Sequence, residues 1–441
     1  MRYLLDAVYL ILVPVLSPFL FARKSRRGLW SRFLGRTQIR QASQPNRRRV
    51  WFHGVSVGEI HLLRGVVKRF RQLHPDDECI VSSTTDSGFA EARKAFPNFS
   101  VIRWPLDFSW AVDRALREAE PDLVVLAESE LWPNFLLAAR RLQIPVVAIN
   151  VRLSPRSAHR YRRFRSLTRR WLSLISHFAV QTEQYALSLR EAGASADRVT
   201  VTGSVKYDGV ETNRDNARTR ELGQLFGIDP DEIVWVAGST MEPEDELVIE
   251  VYERLRASHP ALRLILVPRQ PDRFEQVEQL LTRRGISFVR RTDLTLERPA
   301  PHGSVVLLNT IGELGAAWGL ADIAFVGGSL DGRRGGQNMI EPAAYGAAVL
   351  FGPHTWNFRD TVQRLLEGNA ALVVQDSREL EVAIKQLLTN PTERRRLGDL
   401  ASRLVLDQQG ATERTLDLLD RFLPGSLQSP SGIALGLEKV A

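Results

Sequence analysis

From Gly335 to Pro353 the chain reads GGQNMIEPAAYGAAVLFGP, a glycine-rich turn, the carboxylate of Glu341 and a proline-started helix ahead of an apolar strand. Glycines let a backbone approach a phosphate closely, a carboxylate accepts from two ribose hydroxyls, and a helix opening near Pro342 aims N–H groups at an anion. The chemistry this suits is the grip on a nucleotide. The same residues equally fit a structural glycine turn followed by a capped helix.

Other candidates follow apolar runs. His53-Gly-Val-Ser-Val-Gly-Glu59 opens a helix and puts Glu59 in its first turn, where a carboxylate either takes a proton or simply complements the helix dipole. Glu128-Ser-Glu130-Leu-Trp-Pro133 brings two more carboxylates to a strand end, and ordinary N-terminal capping is the alternative. Gly238-Ser-Thr240 fits a phosphate turn, Pro268-Arg269 places a guanidinium at a strand end, and Asn309-Thr-Ile-Gly-Glu313 starts a helix with free N–H groups. Each is weak singly, because Ser, Thr and Asn before helices are usually caps. Together they point to one edge.

What is missing from the sequence narrows the class. It carries no G-x-x-x-x-G-K-[ST] loop, no G-x-G-x-x-G turn and no H-E-x-x-H helix, against a P-loop nucleotidase, a dinucleotide oxidoreductase and a zinc protease. The Asp-x-Asp of Asp229 and Asp231 precedes its strand, poorly placed for a metal shared with a sugar diphosphate, so metal-free chemistry is expected. The single cysteine, Cys79, excludes an internal disulfide and a thiolate-rich cluster.

Elements must hold these groups in place. Short β-branched runs alternate with amphipathic helical ones, the pattern of a parallel sheet covered on both faces. The first set of strands is expected at Val50–His53, Cys79–Ser83, Val101–Trp104, Leu123–Ala127, Val146–Asn150, Phe178–Gln181 and Val199–Thr202. Ile60, Leu63, Val66, Val67, Phe70 and Leu73 mark one helical face between them. After a polar stretch, Tyr207–Arg220, the pattern restarts at Val234–Ala237, Leu264–Val267, Val305–Leu308, Ile323–Val326, Val349–Phe351 and Leu372–Val374. Two doubly wound α/β domains facing a cleft are expected, with ligands beyond the carboxyl ends of the strands. The helical stretch Pro391–Leu423 closes the second domain and is placed to cross back to the first.

With 441 residues, 44% of them hydrophobic, the chain can build two such cores. Its net charge of +8 is regional: residues 1–60 hold eleven Lys and Arg against Asp6 and Glu59, and Arg152 to Arg170 adds eight arginines with no acid. Basic regions serve nucleic acid, anionic lipid or a phosphorylated acceptor, and here the neighbouring segment arbitrates. Ala7 to Ala22, AVYLILVPVLSPFLFA, is uncharged and precedes Arg23, Lys24, Arg26 and Arg27. It is short for a bilayer span, and Pro14 and Pro18 disfavour an uninterrupted soluble helix, so a membrane anchor is expected. Charges after rather than before the apolar run argue against a cleaved signal and keep the rest of the chain in the cytoplasm. A buried core helix is the bland alternative.

Taken in order, HGVSVGE from His53, SSTTDSGFAEA from Ser82, PLDF from Pro105, ESELWPN from Glu128, VTGSVKYD from Val201, AGST from Ala237, VPRQPDRF from Val267, TIGEL from Thr310, AFVGGS from Ala324, GGQNMIEPAAYG from Gly335 and LFGPHTWNF from Leu350 closely resemble the Kdo transferases. Those enzymes move 3-deoxy-D-manno-octulosonic acid (Kdo) from CMP-Kdo to a lipid A precursor in lipopolysaccharide biosynthesis. The resemblance covers nearly the whole chain. It implies a GT-B glycosyltransferase, metal-free and cofactor-free inverting transfer, and attachment to the cytoplasmic (inner) membrane with the catalytic domains facing the cytoplasm. The division it implies is an anchor at 1–27, an acceptor-binding Rossmann-like domain at 28–206, a linker at 207–227, a CMP-sugar-binding domain at 228–423 and a tail at 424–441.

Carried over motif by motif, Glu59 is the implied general base, with Glu130 and Lys206 assisting the transition state. The implied CMP contacts are Pro268, Arg269, Ile311, Gly312, Glu313, Asn338, Met339, Ile340 and Glu341. Implied partners are CMP-Kdo, lipid IV(A) and the membrane surface, and no nucleic acid. Departures from the family pattern stand at Gln270, Met241 and Gln337, where histidine is common, and at Ser204, where asparagine is frequent. A UDP-sugar transferase or epimerase of the same architecture, and a non-enzymatic protein using only its basic face, are the competing readings.

Overall fold

The computed structural model describes residues 5–7, 9–11, 29–37, 39, 47–128, 130–153 and 155–425. The chain divides into two compact units, one made of the residues up to Asp208 together with those from Gln409 on, the other Gly209–Gln408. Among the described residues each unit carries a seven-stranded sheet with every pairing parallel.

In the first unit the strands are β1 (Arg49–His53), β2 (Glu78–Ser83), β3 (Ser100–Arg103), β4 (Leu123–Ala127), β5 (Val146–Val151), β6 (His177–Val180) and β7 (Val199–Val201). Their spatial order is β3-β2-β1-β4-β5-β6-β7. All residues of β1 and β4 are buried, so these strands read as continuous apolar runs rather than alternating ones. The helix Val57–Leu73 covers one face with Ile60, Leu63, Val66, Val67 and Phe70, all fully buried. Each such side chain contributes roughly 1.5–3 kcal/mol. The helix Ala411–Asp420 returns from beyond the second unit and joins this same apolar cluster through Ala411, Leu416, Leu418 and Leu419. Asp208 fixes the return by accepting from the N–H groups of Gly410 (2.7 Å) and Thr412.

The second unit contains β8 (Ile233–Thr240), β9 (Leu262–Pro268), β10 (Phe288–Arg290), β11 (Val305–Leu307), β12 (Ile323–Val326), β13 (Ala348–Phe351) and β14 (Ala371–Val373), in the order β10-β11-β9-β8-β12-β13-β14. The order reverses at β1 in the first sheet and at β8 in the second, so the crevices beyond β1/β4 and β8/β12 are the switch points where such sheets take ligands.

One loop at the second switch point is already occupied by the protein itself. Glu244, 1% exposed in the first turn of the helix Glu244–Arg256, accepts from four backbone N–H groups. Met241 (3.1 Å) and Gly328 (2.6 Å) donate to Oε2, Ser329 (2.8 Å) and Leu330 (3.0 Å) to Oε1. The turn after β12 is therefore held by a carboxylate belonging to the chain.

Several expectations change. The stretch expected to be a linker over 207–227 contains the helix Ala217–Leu225, capped by Asn216 and buried through Thr219, Leu222 and Leu225. The second domain, expected to run to 423, ends at Gln408: Ala411–Asp420, in the helical stretch expected to cross back, belongs to the first unit. The strand β10 was not expected, and Gly238–Thr240, expected as a phosphate turn, is the buried end of β8. There Thr240 donates to Asp245 (2.6 Å), and a Cβ on Gly238 would stand 2.4 Å from the Trp318 ring. Most of the expected anchor at 1–27, and the tail beyond 425, lie outside the described residues. Among the described residues no helix is long and apolar enough to cross a membrane.

Candidate active site

Three carboxylates gather at the β1/β4 switch point of the first unit. Glu59 stands in the first turn of its helix, folded back so that the N–H groups of Val55 and Ser56 (3.2 Å) both donate to Oε2. With Ser56 as N-cap this is a capping box, so the structural reading of the motif is realised as well. The Val55 carbonyl is fixed in turn by Thr85 Oγ1 (2.8 Å), Ser83 Oγ (2.9 Å) and the Thr85 N–H (3.2 Å). Burial raises the Glu59 carboxyl above the usual range and the charge of Glu128 adds to the rise, while the two N–H groups oppose it. Glu130, in the loop after β4, is raised by burial and then by the charges of Glu59 and Glu128. Its burial has a visible source, since it adjoins a small apolar recess lined by Leu131, Val151, Tyr161 and Phe178.

The sequence brings both Glu128 and Glu130 of ESELWPN to this strand end; the structure adds Arg152. Glu128 has φ +60°, a left-handed conformation that costs a non-glycine residue on the order of 1 kcal/mol, and its carboxylate meets Arg152 at 3.3 Å. Asn150, at the end of β5, is also left-handed (φ +53°) and fully buried. Its Oδ1 accepts from the Val205 N–H (3.2 Å), which sets the short turn Val205–Tyr207 that carries Lys206. Neither positive φ nor this pairing has a sequence signature beyond the Asn itself.

His53, the last residue of β1, is not a competing base. It is fully buried, stacked on Trp104 with 3.8 Å between ring centroids, and bonded through Nδ1 to Ser82 Oγ (2.9 Å). Burial pushes its pKa down to about 3, so it is a neutral packing group at physiological pH.

In the second unit a cavity of about 740 Å³ is lined by Ile311, Gly312, Glu313 and Glu341, together with Glu211, Arg218 and others. Glu341 is bonded by Asn338 Nδ2 (2.9 Å). Its carboxyl is raised by burial, against that bond and the nearby charge of Arg269. The Glu313 carboxylate is held by Arg291 (2.8 Å) and Thr310, so this turn is braced from the β10–β11 side. Gly312 has φ +94°, and nothing stands within 4 Å of where its Cβ would be, so the turn offers open backbone to a ligand.

The other expected contacts fall nearby but differ in kind. Pro268 ends β9, and Arg269 follows it with its N–H donating to the Thr240 carbonyl (2.9 Å). Met339 and Ile340 are buried, at 0% and 1% exposure, and the Ile340 N–H is taken by Asn338 Oδ1 (3.0 Å). Their side chains serve the core. The helix expected after Asn338 is only Ile340–Ala344, with Pro342 inside it rather than opening it.

Residues 27–209 match the family described as 3-deoxy-D-manno-octulosonic-acid transferase (kdotransferase). The 3-deoxy-D-manno-octulosonic acid transferase of Haemophilus influenzae is 34% identical over 386 residues, 87% of this chain and 89% of that protein. The protein of the same name from Bordetella pertussis is 34% identical over 435 residues, 94% of this chain and 99% of the relative. Among solved structures, UDP-GlcNAc 2-epimerase from Neisseria meningitidis, bound to UDP-GlcNAc, superposes with TM-score 0.57 at 15% identity over 85% of this chain and all of that one, a likeness of fold alone.

Proposed function

The chain belongs to the Kdo transferase family of glycosyltransferases, and from that premise we propose that it transfers Kdo from CMP-Kdo to a lipid A precursor, lipid IV(A), with inversion at the sugar and Glu59 as general base. The observation that carries this reading is the gathering of Glu59, Glu128 and Glu130 beyond β1 and β4, with Glu59 and Glu130 raised above the usual carboxylate range. A sugar hydroxyl is too weakly acidic to attack unaided near neutral pH. The two backbone bonds to Glu59 end on Oε2, and the carboxylate takes the acceptor proton as the new C–O bond forms and the CMP phosphate departs.

Glu130 and Lys206 act on the charge that develops at the Kdo centre and its carboxylate. CMP is held by the second unit: Glu341 on the ribose hydroxyls, the backbone of Ile311–Glu313 on the base, and Arg269 with the Asn338 turn on the phosphate. Cations of the protein thus take the place a metal ion would fill, and transfer needs no added metal or cofactor. We further propose attachment to the inner membrane through the N-terminal segment, with the catalytic units on the cytoplasmic side. Exposed Leu10, Ile11, Trp30, Leu34 and Trp110 support it.

The test is mass-spectrometric detection of Kdo transfer from CMP-Kdo to lipid IV(A) in EDTA, comparing wild type with Glu59→Ala. Transfer by the wild type alone is expected. A folded, detergent-solubilised wild type that transfers nothing overturns the substrate assignment; a fully active Glu59→Ala overturns the base.

A further inference from the structure

Two helices around the carboxylate site lack caps of their own. The helix Pro133–Arg141 starts directly after the Glu128–Trp132 loop, its N-cap Trp132 makes no side-chain bond, and Pro133 at the first position has no N–H. The first free N–H groups, of Asn134 (3.0 Å) and Phe135 (2.9 Å), donate instead to the carboxylate of Asp107. The helix Ser109–Ala119 likewise begins after Phe108, which makes no cap bond, and its Ser109 N–H donates to Asp6 Oδ1 (2.9 Å). A carboxylate from elsewhere in the chain therefore stands at each N-terminus, where an acceptor and a negative charge are both favoured.

These two carboxylates are joined to one another and to the N-terminal segment. The Asn134 amide donates to Asp6 Oδ1 (3.0 Å) and to the Asp107 carbonyl (2.7 Å), the Ser109 hydroxyl reaches Asp6 Oδ2, and the Tyr9 hydroxyl donates to Asp107 Oδ2 (3.1 Å). Asp6 and Asn134 are 5% and 2% exposed. Tyr9 also packs edge-on against Phe108, as Phe33 does, with ring centroids 5.9 and 5.3 Å apart. The same segment turns Leu10 and Ile11 to the outside. Asp107 is poised accordingly, with burial lifting its carboxyl to about 6 against the pull of the Asn134 and Phe135 amides.

We propose that Asp6 is a positioning residue: through Asn134 and Asp107 it fixes the start of the helix behind the Glu128–Trp132 loop, so that the lipid-facing N-terminal segment is also part of the framework that sets Glu130. This rests on the transferase reading above and deepens it. An N-terminus that served as a tether alone would need none of these bonds, because attachment depends on its apolar side chains.

The test uses the full chain with phosphatidylethanolamine–phosphatidylglycerol vesicles, and reads kcat, KM for CMP-Kdo, vesicle cosedimentation and Tm for wild type, Asp6→Ala, Asp6→Asn and Tyr9→Phe. A misplacement of about 1 Å can cost a rate factor of about 10². Asp6→Ala is therefore expected to lower kcat by about 10²-fold with KM for CMP-Kdo and vesicle binding unchanged. Asp6→Asn, which keeps one acceptor oxygen, should recover part of the loss, and Tyr9→Phe should show a smaller loss of the same kind. An unchanged kcat, or losses that only follow the fraction of protein bound to vesicles, overturns the proposal. Should Asp6→Ala fail to fold, Tyr9→Phe decides by the same criteria. A wild type without Kdo transfer is a different result, which refutes the underlying transferase reading instead.

Discussion

Replacing Glu244 by glutamine should loosen the turn after β12 without altering the shape of the core. The carboxylate meets four N–H donors, two on each oxygen. A glutamine keeps one acceptor oxygen, and whichever way its amide is turned, two donors face an NH₂ group. A buried donor left without a partner costs about 1–3 kcal/mol, so the two together cost about 2–6, and relaxation of the turn with entry of water favours the lower half, about 3 kcal/mol. At 1.4 kcal/mol per factor of ten this is a rise of roughly 10²-fold in the opening of the turn, which hydrogen exchange reads directly. Mass spectrometry of peptides spanning 326–338 in the full-length protein should show that acceleration, whereas peptides of β9 and β13 should keep wild-type protection. Because this turn leads into Gly335–Glu341, KM for CMP-Kdo should rise with it. Exchange at Gly328–Leu330 equal to wild type would refute the reasoning that the carboxylate, rather than the surrounding packing, holds the turn.

Glu59→Gln should lower kcat by about 10²–10⁴-fold, the usual worth of a general base, with CMP-Kdo binding intact by calorimetry. A general base works deprotonated, and the Glu59 carboxyl is raised by burial and then by Glu128. The wild-type kcat/KM should therefore fall as pH drops through a value above that of an ordinary glutamate, and Glu128→Gln, which removes a like charge, should move this limb to lower pH. A limb that stays in place in Glu128→Gln would refute the coupling. Arg291→Met leaves the Glu313 carboxylate to Thr310 alone and should raise the Kd for CMP severalfold at unchanged Tm, and an unchanged Kd in calorimetry would separate that turn from the nucleotide. Gly238→Ala sets a methyl 2.4 Å from the Trp318 ring and should destabilise the second unit by about 1–3 kcal/mol, seen in thermal unfolding.

The strands and the loops after them could be read from sequence because both sheets are buried on two faces. Val-, Ile- and Leu-rich runs such as Leu123–Ala127 then announce themselves, and each is followed by its own helix signal. β10 escaped because Phe288, Val289 and Arg290 form an edge strand only half buried. The helix Ala217–Leu225 escaped because it contacts the core through three side chains and is otherwise polar. Leu416, Leu418 and Leu419 mark a buried helix, but nothing in their spacing says which of two cores receives them. The site divides along the same line. Glu59 and Glu341 stood out because their motifs are local. Glu128 is named by the same local motif as Glu130, but its left-handed φ is not, and Glu244 sits in the acidic run Glu244-Asp245-Glu246, which by sequence suits any helix N-terminus. Only the β8/β12 neighbourhood distinguishes the carboxylate that turns inward from Glu246, which is exposed and pairs with Arg284 at 3.1 Å.

The return of Ala411–Asp420 to the first unit sets an order of events on the ribosome. The helix that completes the cover of Ile60, Leu63 and Phe70 is encoded after all of Gly209–Gln408. At about 5–20 residues per second, synthesis of that intervening stretch takes roughly 10–40 s. During that interval the nascent first unit presents an incompletely covered apolar face, while the second unit, contiguous in sequence, can fold as soon as it emerges. A ribosome that stalls or stops late in the message therefore releases a chain whose second unit is whole and whose first, carboxylate-bearing unit is the one left open to chaperones and proteases.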